Sequence, residues 1–374
     1  MSTAEAPPWK SDPRNMGRNI YRLCGYMAMF PARVPNYFIR KYSEPGDVVF
    51  DPFSGRGTTA IEACFEGRIG IGRDKNPLAF VLTKAQTGVP SRGRILSRIA
   101  KLEKEHANSP KNKEEVSWAI DMIFHTRTLN QLMFLRRKLQ WQTNTVDAYI
   151  MALLLGILHG HSEGYLSLPM PNTFSYSPNY IKNYVAKHGL IKPNRDTFAL
   201  LRRKLERAYE RPPIRGKAYL GDARSSGRIR PKSVDLIITS PPYTRLITYA
   251  KFNWIRLWAL GYDDARDIER KLFTTSSEPK YYDFMRDVIA NCDKVLADGG
   301  KLVLVIGDVQ KKDKSSALNL AEEVWKNCAQ PLGFKKVEET IADVISDNNK
   351  VTKIWGKTRG NATKVDRVLV LSRN

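Results

Sequence analysis

The sequence is short of the residue types that hold metals and disulfides. It has four cysteines and five histidines in 374 residues, and no two cysteines form a CxxC pair. The spacing therefore predicts neither a zinc site nor a disulfide framework, and a reducing, cytoplasmic setting is the simpler expectation. His159 and His161 have no third ligand nearby in the sequence, which argues against a metal centre there.

Long apolar runs are also missing. The longest, residues 148–158, falls well short of the ~20 residues that a membrane span needs and predicts a buried helix instead. The N-terminal stretch is polar and contains prolines, without the apolar region of a signal peptide. We expect residues 1–16 to form a flexible tail.

Acidic residues are outnumbered. Lysine and arginine total 61 against 38 aspartate and glutamate residues, so the formal net charge is +23, far more than solubility requires. Such an excess favours a polyanionic partner such as nucleic acid, although ribosomal surfaces and acidic membranes would attract the chain in the same way. The 42% hydrophobic content is typical of a globular protein.

Residues 46–74 have a pattern typical of nucleotide-binding folds. A short strand at residues 46–50 leads into a loop with Gly55 and Gly57, then a helix ended by Gly67, and a second strand. Asp74 ends that strand, near the spacing at which a carboxylate accepts hydrogen bonds from ribose hydroxyls. A nicotinamide-dependent oxidoreductase has the same features, and a ligand-free turn with Asp74 as a helix cap is the structural alternative.

After the second strand the pattern becomes helical and basic. Residues 91–216 predict an all-helical insertion, which an aromatic, proline-rich loop at 169–178 interrupts. Its basic helices and the segment 172–180 are candidates for nucleic-acid contact and sequence reading. A solvated helical face accounts equally well for most of the arginines.

A second motif ends a buried strand. The run at residues 233–238 is apolar and β-branched, and two consecutive prolines then forbid both helix and further strand pairing. Ser240, Pro241, Pro242 and Tyr243, here called the SPPY turn, therefore present a hydroxyl, a rigid carbonyl and an aromatic ring at the carboxyl end of a strand. Open α/β sheets place their chemistry there, and we interpret the turn as the pocket for a flipped nucleobase. A proline-terminated strand with a surface tyrosine is the alternative.

Two basic residues follow the SPPY turn closely. Arg245 and Lys251 lie near the strand end, where they are candidates for phosphate contact. The tryptophans and remaining charges of this stretch fit a core helix with a solvated face.

The two motifs together resemble the amino-methyltransferases of DNA, which methylate exocyclic amines of cytosine or adenine using S-adenosylmethionine. They read DPFSGRGTT at residues 51–59 and TSPPY at residues 239–243. Residues 30–33 resemble the segment that closes over the methionine end of the cofactor, and residues 221–222 resemble the acidic turn beside the adenine. The resemblance covers about residues 20–90 and 217–374.

The resemblance implies a Rossmann-like, seven-stranded α/β methyltransferase sheet. Residues 17–90 and 217–374 would form the catalytic domain, and the helical insertion at 91–216 would recognise DNA. The cofactor-binding residues implied are Phe30, Asp51, Phe53, Ser54, Gly55, Gly57, Thr58, Asp74 and Asp222. Within them, the loop at 53–57 cradles the methionine portion, Asp74 holds the ribose, and Asp222 accepts from the adenine amine; no metal is implied.

The catalytic residues implied are Ser240, Pro241, Pro242 and Tyr243. An aromatic amine is a poor nucleophile because its lone pair is delocalised into the ring. Two acceptors, Ser240 Oγ and the Pro241 carbonyl, would engage both amine hydrogens and favour a localised lone pair. Tyr243 would stack on the extruded base, whose flipping costs roughly a few kcal/mol.

Serine at the start of the SPPY turn favours cytosine N4, with adenine N6 as the alternative. Double-stranded DNA is the expected partner, and a companion restriction endonuclease is left open. RNA methylation fits the charge equally well. An oxidoreductase explains neither the SPPY turn nor the charge, and the fourth hypothesis is a catalytically silent nucleic-acid-binding module.

Overall fold

The computed structural model describes residues 6–27, 30–109, 115–243, 249–310, 317–344 and 365–373. Within these ranges no helix has both the length and the apolar content to cross a bilayer. The strands are β1 (Val48–Asp51), β2 (Ile69–Asp74), β3 (Lys217–Leu220), β4 (Val234–Thr239), β5 (Leu296–Gly307), β6 (Val309–Gln310), β7 (Ala317–Leu318), β8 (Lys335–Lys336), β9 (Ile341–Val344) and β10 (Val365–Ser372).

The helices of the described residues fall into two groups. The α/β unit has α1 (Arg33–Tyr42), α2 (Thr58–Phe65), α3 (Pro77–Thr87), α10 (Trp254–Ala259), α11 (Ala265–Glu269), α12 (Glu278–Val295) and α13 (Leu320–Val324). The second group is inserted between α3 and β3. It comprises α4 (Arg92–Ala107), α5 (Trp118–Ile123), α6 (Thr126–Lys138), α7 (Thr145–Ile157), α8 (Pro178–His188) and α9 (Thr197–Ala208).

One sheet organises the α/β unit. Its strands run in the order β3-β2-β1-β4-β5-β10-β8, and β9 pairs with β10 as an eighth strand. The first five of these are parallel to their neighbours, whereas β10 runs antiparallel to β5. The strand order reverses direction at β1 and β4, which makes their carboxyl ends the switch point where such sheets bind ligands. The prediction of a Rossmann-like α/β sheet is confirmed; the sheet has eight strands, one more than the predicted seven, because β9 also pairs with β10.

Side chains alternate between two apolar clusters along β4. Ile237 packs into a cluster with Phe50 and the residues of α12, here called the α12-side cluster. Leu236 and Ile238 pack into a cluster with Val49 and the residues of α1, here called the α1-side cluster. Because successive residues of a strand face opposite sides, both faces of the sheet are covered, which is why β4 is apolar almost throughout.

Helix α7 is the buried centre of the inserted helices. Its longest apolar run is enclosed on every side, as predicted for residues 148–158, and Asn144 caps its first turn through Oδ1. The helix packs against α4 and α9 and also against α3 of the α/β unit. The apolar core of the inserted helices therefore includes residues of α2 and α3 of the α/β unit.

The prediction of a flexible tail over residues 1–16 needs correction for residues 6–16. Pro8–Ser11 form a single 3-10 turn that buries Trp9 completely against Phe38, and Trp9 Nε1 donates to Asp343 Oδ2 at 2.9 Å. Asp343 belongs to β9 and is 334 residues away, so a partner this distant left no local signal in the sequence. Residues 1–5 lie outside the described ranges.

Candidate functional site

The two sequence motifs meet at the carboxyl ends of β1 and β4. These strands are parallel neighbours, so Asp51 and Thr239 leave the sheet side by side. Thr239 Oγ1 donates to Asp51 Oδ1 at 2.6 Å, and Thr59 Oγ1 donates to the Ile238 carbonyl at 3.3 Å. Residues 188 positions apart are thereby joined, and the glycine loop (residues 53–57) lies beside the SPPY turn.

Asp51 is almost completely buried. Its Oδ1 also accepts the backbone N–H of Phe53 at 3.0 Å, whereas its Oδ2 has no hydrogen-bond partner among the described residues. Burial raises the pKa of Asp51 to about 7, against the opposing effect of the donors. A buried carboxylate oxygen without a donor is a candidate ligand contact.

The glycine loop is held open by two left-handed residues. Gly55 has φ +51° and Gly57 has φ +93°, and a Cβ added to Gly57 would lie 2.9 Å from Thr83 Oγ1. Thr83 also contacts Ser54, whose Oγ lies 3.2 Å from Thr83 Oγ1. The loop therefore packs tightly on α3, and only glycine fits at position 57.

Two further members of the first motif flank the glycines. Thr58 is buried in the first turn of α2, and Phe53 lies half-buried with its ring 5.9 Å from that of Phe284 on α12. Phe30, from the N-terminal segment expected to cover the cofactor, packs against the α1-side cluster.

Asp74 supports the glycine loop from the end of β2. Its Oδ2 accepts the N–H of Gly55 at 2.9 Å, and its Oδ1 accepts the N–H of Asn76 at 2.8 Å. Burial raises the pKa of Asp74 to about 6, although these N–H donors oppose the shift. A carboxylate has about four acceptor sites, so Asp74 keeps capacity for further donors.

Two tyrosines beside the loop were not predicted as site residues. The rings of Tyr26 and Tyr249 stack at 6.4 Å, and Tyr26 lies 3.3 Å from the position of a Cβ on Gly55. Burial, with a contribution from the Asp74 charge, raises the pKa of both, that of Tyr249 to about 12. Motif spacing gives no signal for such residues, because they reach the loop from separate segments.

The SPPY turn has an internal hydrogen bond. Ser240 Oγ lies 3.2 Å from Tyr243 OH, which is 3.5 Å from the Val305 carbonyl on β5. Pro241 is buried, while Ser240, Pro242 and Tyr243 are half-buried. Burial raises the pKa of the Tyr243 phenol, whose ring packs against the α12-side cluster. Residues 244–248, which include the phosphate-contact candidate Arg245, lie outside the described ranges.

Asp222 lies after β3 in a charged cluster. Arg224 donates to both of its carboxylate oxygens through Nε and Nη2, at 3.0 and 2.9 Å, and Lys75 Nζ donates to Oδ2 at 3.0 Å. The Arg224 hydrogen bonds hold the pKa of Asp222 well below its usual range. The sequence indicated Asp222 but not Arg224 or Lys75, the cations that neutralise it.

His159 is a buried structural residue. Its Nδ1 lies 2.9 Å from Ser167 Oγ, and burial lowers its pKa to about 3, so the ring is neutral. Across the part of the chain that the structure describes, no three His, Cys, Asp or Glu side chains are grouped so that they could hold a metal ion.

Comparisons with known proteins concern the same two regions. A sequence model described as DNA methylase matches residues 7–84 and 234–362, together more than half of the chain. Type II methyltransferase M.BglI of Bacillus subtilis is 31% identical over 96 residues, which is 25% of this chain and 28% of that protein. Type II methyltransferase M.PvuII of Proteus hauseri is 44% identical over 50 residues, 13% of this chain and 15% of that protein.

The matches therefore span less than a third of the length of either curated relative. Among solved structures, TTHA0409 of Thermus thermophilus, described as a putative DNA modification methylase, is 23% identical with a TM-score of 0.24, covering 41% of this chain and 52% of that chain. Thermus thermophilus TrmN is 13% identical with a TM-score of 0.34, covering 92% and 49%.

Proposed function

The chain belongs to the DNA methylase family of N6 and N4 amino-methyltransferases, and on that premise we propose that it methylates the N4 amine of cytosine in duplex DNA. The methyl donor is S-adenosylmethionine, and the target base is flipped out of the helix. The observation that carries the proposal is the 2.6 Å hydrogen bond between Thr239 and Asp51. It joins the proposed cofactor loop and the proposed base-binding turn at one edge of the sheet.

The residues at this edge fit the methyl donor. The positive φ angles of Gly55 and Gly57 let backbone approach a ligand closely, and Asp51 Oδ2 offers a buried acceptor with no described partner. S-adenosylmethionine, when bound, supplies an electrophilic methyl group on a sulfonium. Phe53, Ser54, Gly55, Gly57 and Thr58 would cradle its methionine portion, with Phe30 and Asp51 contributing from either side.

Two acidic residues would hold the nucleoside portion. Asp74 has acceptor capacity left for ribose hydroxyls beyond its bonds to Gly55 and Asn76. Asp222 would accept from the adenine amine while Lys75 and Arg224 keep it ionised. Ionisation matters because a carboxylate accepts hydrogen bonds at both oxygens, whereas a protonated carboxyl loses an acceptor.

The SPPY turn would prepare the amine for attack. Ser240 Oγ and the Pro241 carbonyl accept from its two hydrogens, and Pro242 keeps that carbonyl fixed in direction. Tyr243 supplies a ring against which the flipped base stacks, and its hydroxyl holds Ser240 in place at 3.2 Å. Serine at the first position supports cytosine N4, and adenine N6 is the second candidate.

The net charge and the family support the proposed partners. A net charge of +23 supports a polyanionic substrate, and duplex DNA fits the family. Both curated relatives are named Type II methyltransferases, which supports a role in restriction–modification with a companion endonuclease.

Mass spectrometry of nucleosides from DNA treated with the protein and S-adenosylmethionine tests the proposal. N4-methylcytosine is the expected product, and a Tyr243→Ala variant run in parallel should give none. N6-methyladenine would replace the base assignment only, whereas methylation confined to structured RNA would overturn the substrate. Binding of a labelled dinucleotide in place of S-adenosylmethionine would overturn methyl transfer itself.

A further inference from the structure

Helix α8 presents a row of aromatic rings that the site described above does not use. Tyr176, Tyr180, Tyr184 and His188 recur every fourth residue, and we call them the α8 aromatic face. Successive ring centroids lie 4.5, 6.1 and 4.1 Å apart, each pair stacked. Tyr180 is 44% exposed and His188 is also exposed, whereas Tyr176 and Tyr184 are half-buried against the core in which Ile181 anchors the helix. Stacking and core packing explain the alignment of the rings but not the exposure of Tyr180 and His188 to water.

The charge around this face has one sign. From residue 164 to residue 195 the chain contains no aspartate or glutamate, while Lys182 and Lys187 are both exposed on α8. A lone aromatic row would suit an apolar partner. Lys187 lies on the same side of α8 as the rings and Lys182 on the other side of the helix. Rings between two lysines, with no carboxylate in the segment, fit a duplex polyanion, whose groove presents base edges and sugars between two rows of phosphates.

The α8 aromatic face is tied to the segment that follows the SPPY turn. The Ser175 N–H donates to the Phe252 carbonyl at 2.8 Å, and Trp254 Nε1 donates to the Tyr176 carbonyl at 2.7 Å. Two hydrogen bonds therefore join the start of α8 to the chain around α10.

Arg256 adds a buried link between the same regions. Its guanidinium donates through Nη2 to the Thr173 carbonyl at 3.2 Å and through Nε to the Leu155 carbonyl of α7 at 3.3 Å. The position of α8 is therefore fixed relative to the segment that begins at Tyr249, where the described chain resumes after Tyr243. A surface held in this way can set where a base enters the pocket.

We propose that the α8 aromatic face contacts the duplex beside the flipped base, with Tyr180 and Tyr184 against base edges or sugars and Lys182 and Lys187 on phosphates. A single helix fits the major groove, where aromatic contacts and phosphate contacts can be made together. The inference rests on the proposed function, because it takes duplex DNA as the substrate.

The first test compares full-length Tyr180→Ala/Tyr184→Ala with Tyr180→Phe/Tyr184→Phe, which keeps both rings. Fluorescence anisotropy with a labelled mixed-sequence duplex measures DNA affinity, and calorimetry measures affinity for S-adenosylmethionine. The alanine pair should bind DNA about tenfold or more weakly, as expected when the apolar contact area of two rings is lost, with cofactor affinity unchanged. The phenylalanine pair should stay within about threefold of wild type.

The outcomes separate this inference from the proposed function. If wild type methylates DNA and the alanine pair binds the duplex as tightly, the α8 face is overturned and the proposed function stands. If wild type neither binds nor methylates DNA, both fail. If wild type self-associates in sedimentation and the alanine pair does not, the face is an interface between copies of the chain and the inference is wrong.

Salt dependence tests the lysines separately. Each phosphate contact contributes about 0.9 to the slope of log K against log salt concentration for duplex DNA. Lys182→Ala/Lys187→Ala should therefore reduce the magnitude of the slope by about 2. An unchanged slope would show that these lysines do not lie on the DNA backbone.

Discussion

Thr239 Oγ1 donates a 2.6 Å hydrogen bond to Asp51 Oδ1, and this bond joins the end of β4 to the end of β1. Both residues are buried, so the bond forms in a low-dielectric setting where an unpartnered carboxylate oxygen is costly. Asp51 already has one oxygen without a described partner. The Thr239 hydroxyl therefore adds to the β1–β4 pairing and to the bond from Thr59 to the Ile238 carbonyl in setting the glycine loop beside the SPPY turn.

Replacing Thr239 with valine should weaken both stability and catalysis. The substitution keeps the β-branched shape and removes the donor, at an expected cost of about 1–3 kcal/mol in the free energy of unfolding. The reduced hold on the SPPY turn should lower kcat about tenfold. Urea denaturation and methyl-transfer kinetics measure the two effects. Thr239→Ser keeps the hydroxyl and should remain near wild type; equal losses in the two variants would contradict the role of the bond.

Stability should fall as pH rises from about 4 to about 7, in part because of Asp51. Its pKa is raised from 3.8 to about 7, so in this window the folded state holds a proton that the unfolded state has lost. Asp74, with a pKa of about 6, acts in the same direction up to that pH. Each group contributes a slope of up to about −1.4 kcal/mol per pH unit.

The variant Asp51→Asn removes the Asp51 part of that slope. We expect urea denaturation at pH 5, 6, 7 and 8 to show that the unfolding free energy of the variant increases relative to that of wild type up to about pH 7. Above that pH the difference between the two should stay constant. Parallel curves over the whole range would show that Asp51 is ionised throughout.

Gly57→Ala should be more damaging than its backbone angle alone predicts. The positive φ costs about 1–2 kcal/mol for a residue with a Cβ, and the 2.9 Å approach to Thr83 Oγ1 adds roughly 1–3 kcal/mol. Gly46→Ala is the matched control, because Gly46 has φ +97° and nothing within 4 Å of the added Cβ. Thermal unfolding of both variants isolates the clash, and similar losses would argue against tight packing of the loop on α3.

Asp222→Asn should weaken cofactor binding with little effect on folding. The residue lies in a half-exposed ion cluster, where pairs contribute little to stability. We expect the KM for S-adenosylmethionine to rise about tenfold at nearly constant kcat, the pattern of lost uniform binding. Lys75→Met removes one partner but leaves the carboxylate with Arg224, so its effect should be smaller. A fall in kcat at unchanged KM would place Asp222 outside the adenine site.

Ser240→Ala and Tyr243→Phe test the roles of the two hydroxyl groups of the SPPY turn separately. Loss of the Ser240 acceptor should lower kcat on the order of a hundredfold with little change in the KM for DNA. Tyr243→Phe keeps the ring and loses only the hydroxyl, so about a tenfold loss or less is expected. Ser233→Ala, which removes a half-buried hydroxyl just before the opposite end of β4, is the control. A Ser240→Ala enzyme of normal kcat would remove the serine from the mechanism.

Sequence patterns were sufficient for features that depend on local order. Runs of β-branched residues predicted β1 and β4, and the glycines and prolines that follow them predicted the two turns. Parallel sheets bring such turns to one edge, but the pairing of β1 with β4, which sets Asp51 beside the SPPY turn, was established only by the structure.

Long-range packing was out of reach of the same patterns. Thr83, Tyr26 and Arg224 each contact a predicted site residue, yet nothing in their spacing marks them. Trp9 resembled part of a loose tail because its partner Asp343 lies 334 residues away. Such contacts depend on how whole layers pack, which the local order of residues does not reveal.

The pairing of β1 with β4 also has a consequence for synthesis. Val49 pairs with Leu236, so β1 leaves the ribosome well before its partner, with all six helices from α4 to α9 in between. Those helices depend mostly on near neighbours in the chain, and their centre α7 packs on α3, so they can fold while the sheet is still unfinished. Until β4 emerges, one side of β1 is an open edge of the kind that promotes aggregation. A defect in the inserted helices would therefore act on the nascent chain, while this edge of the sheet is still open.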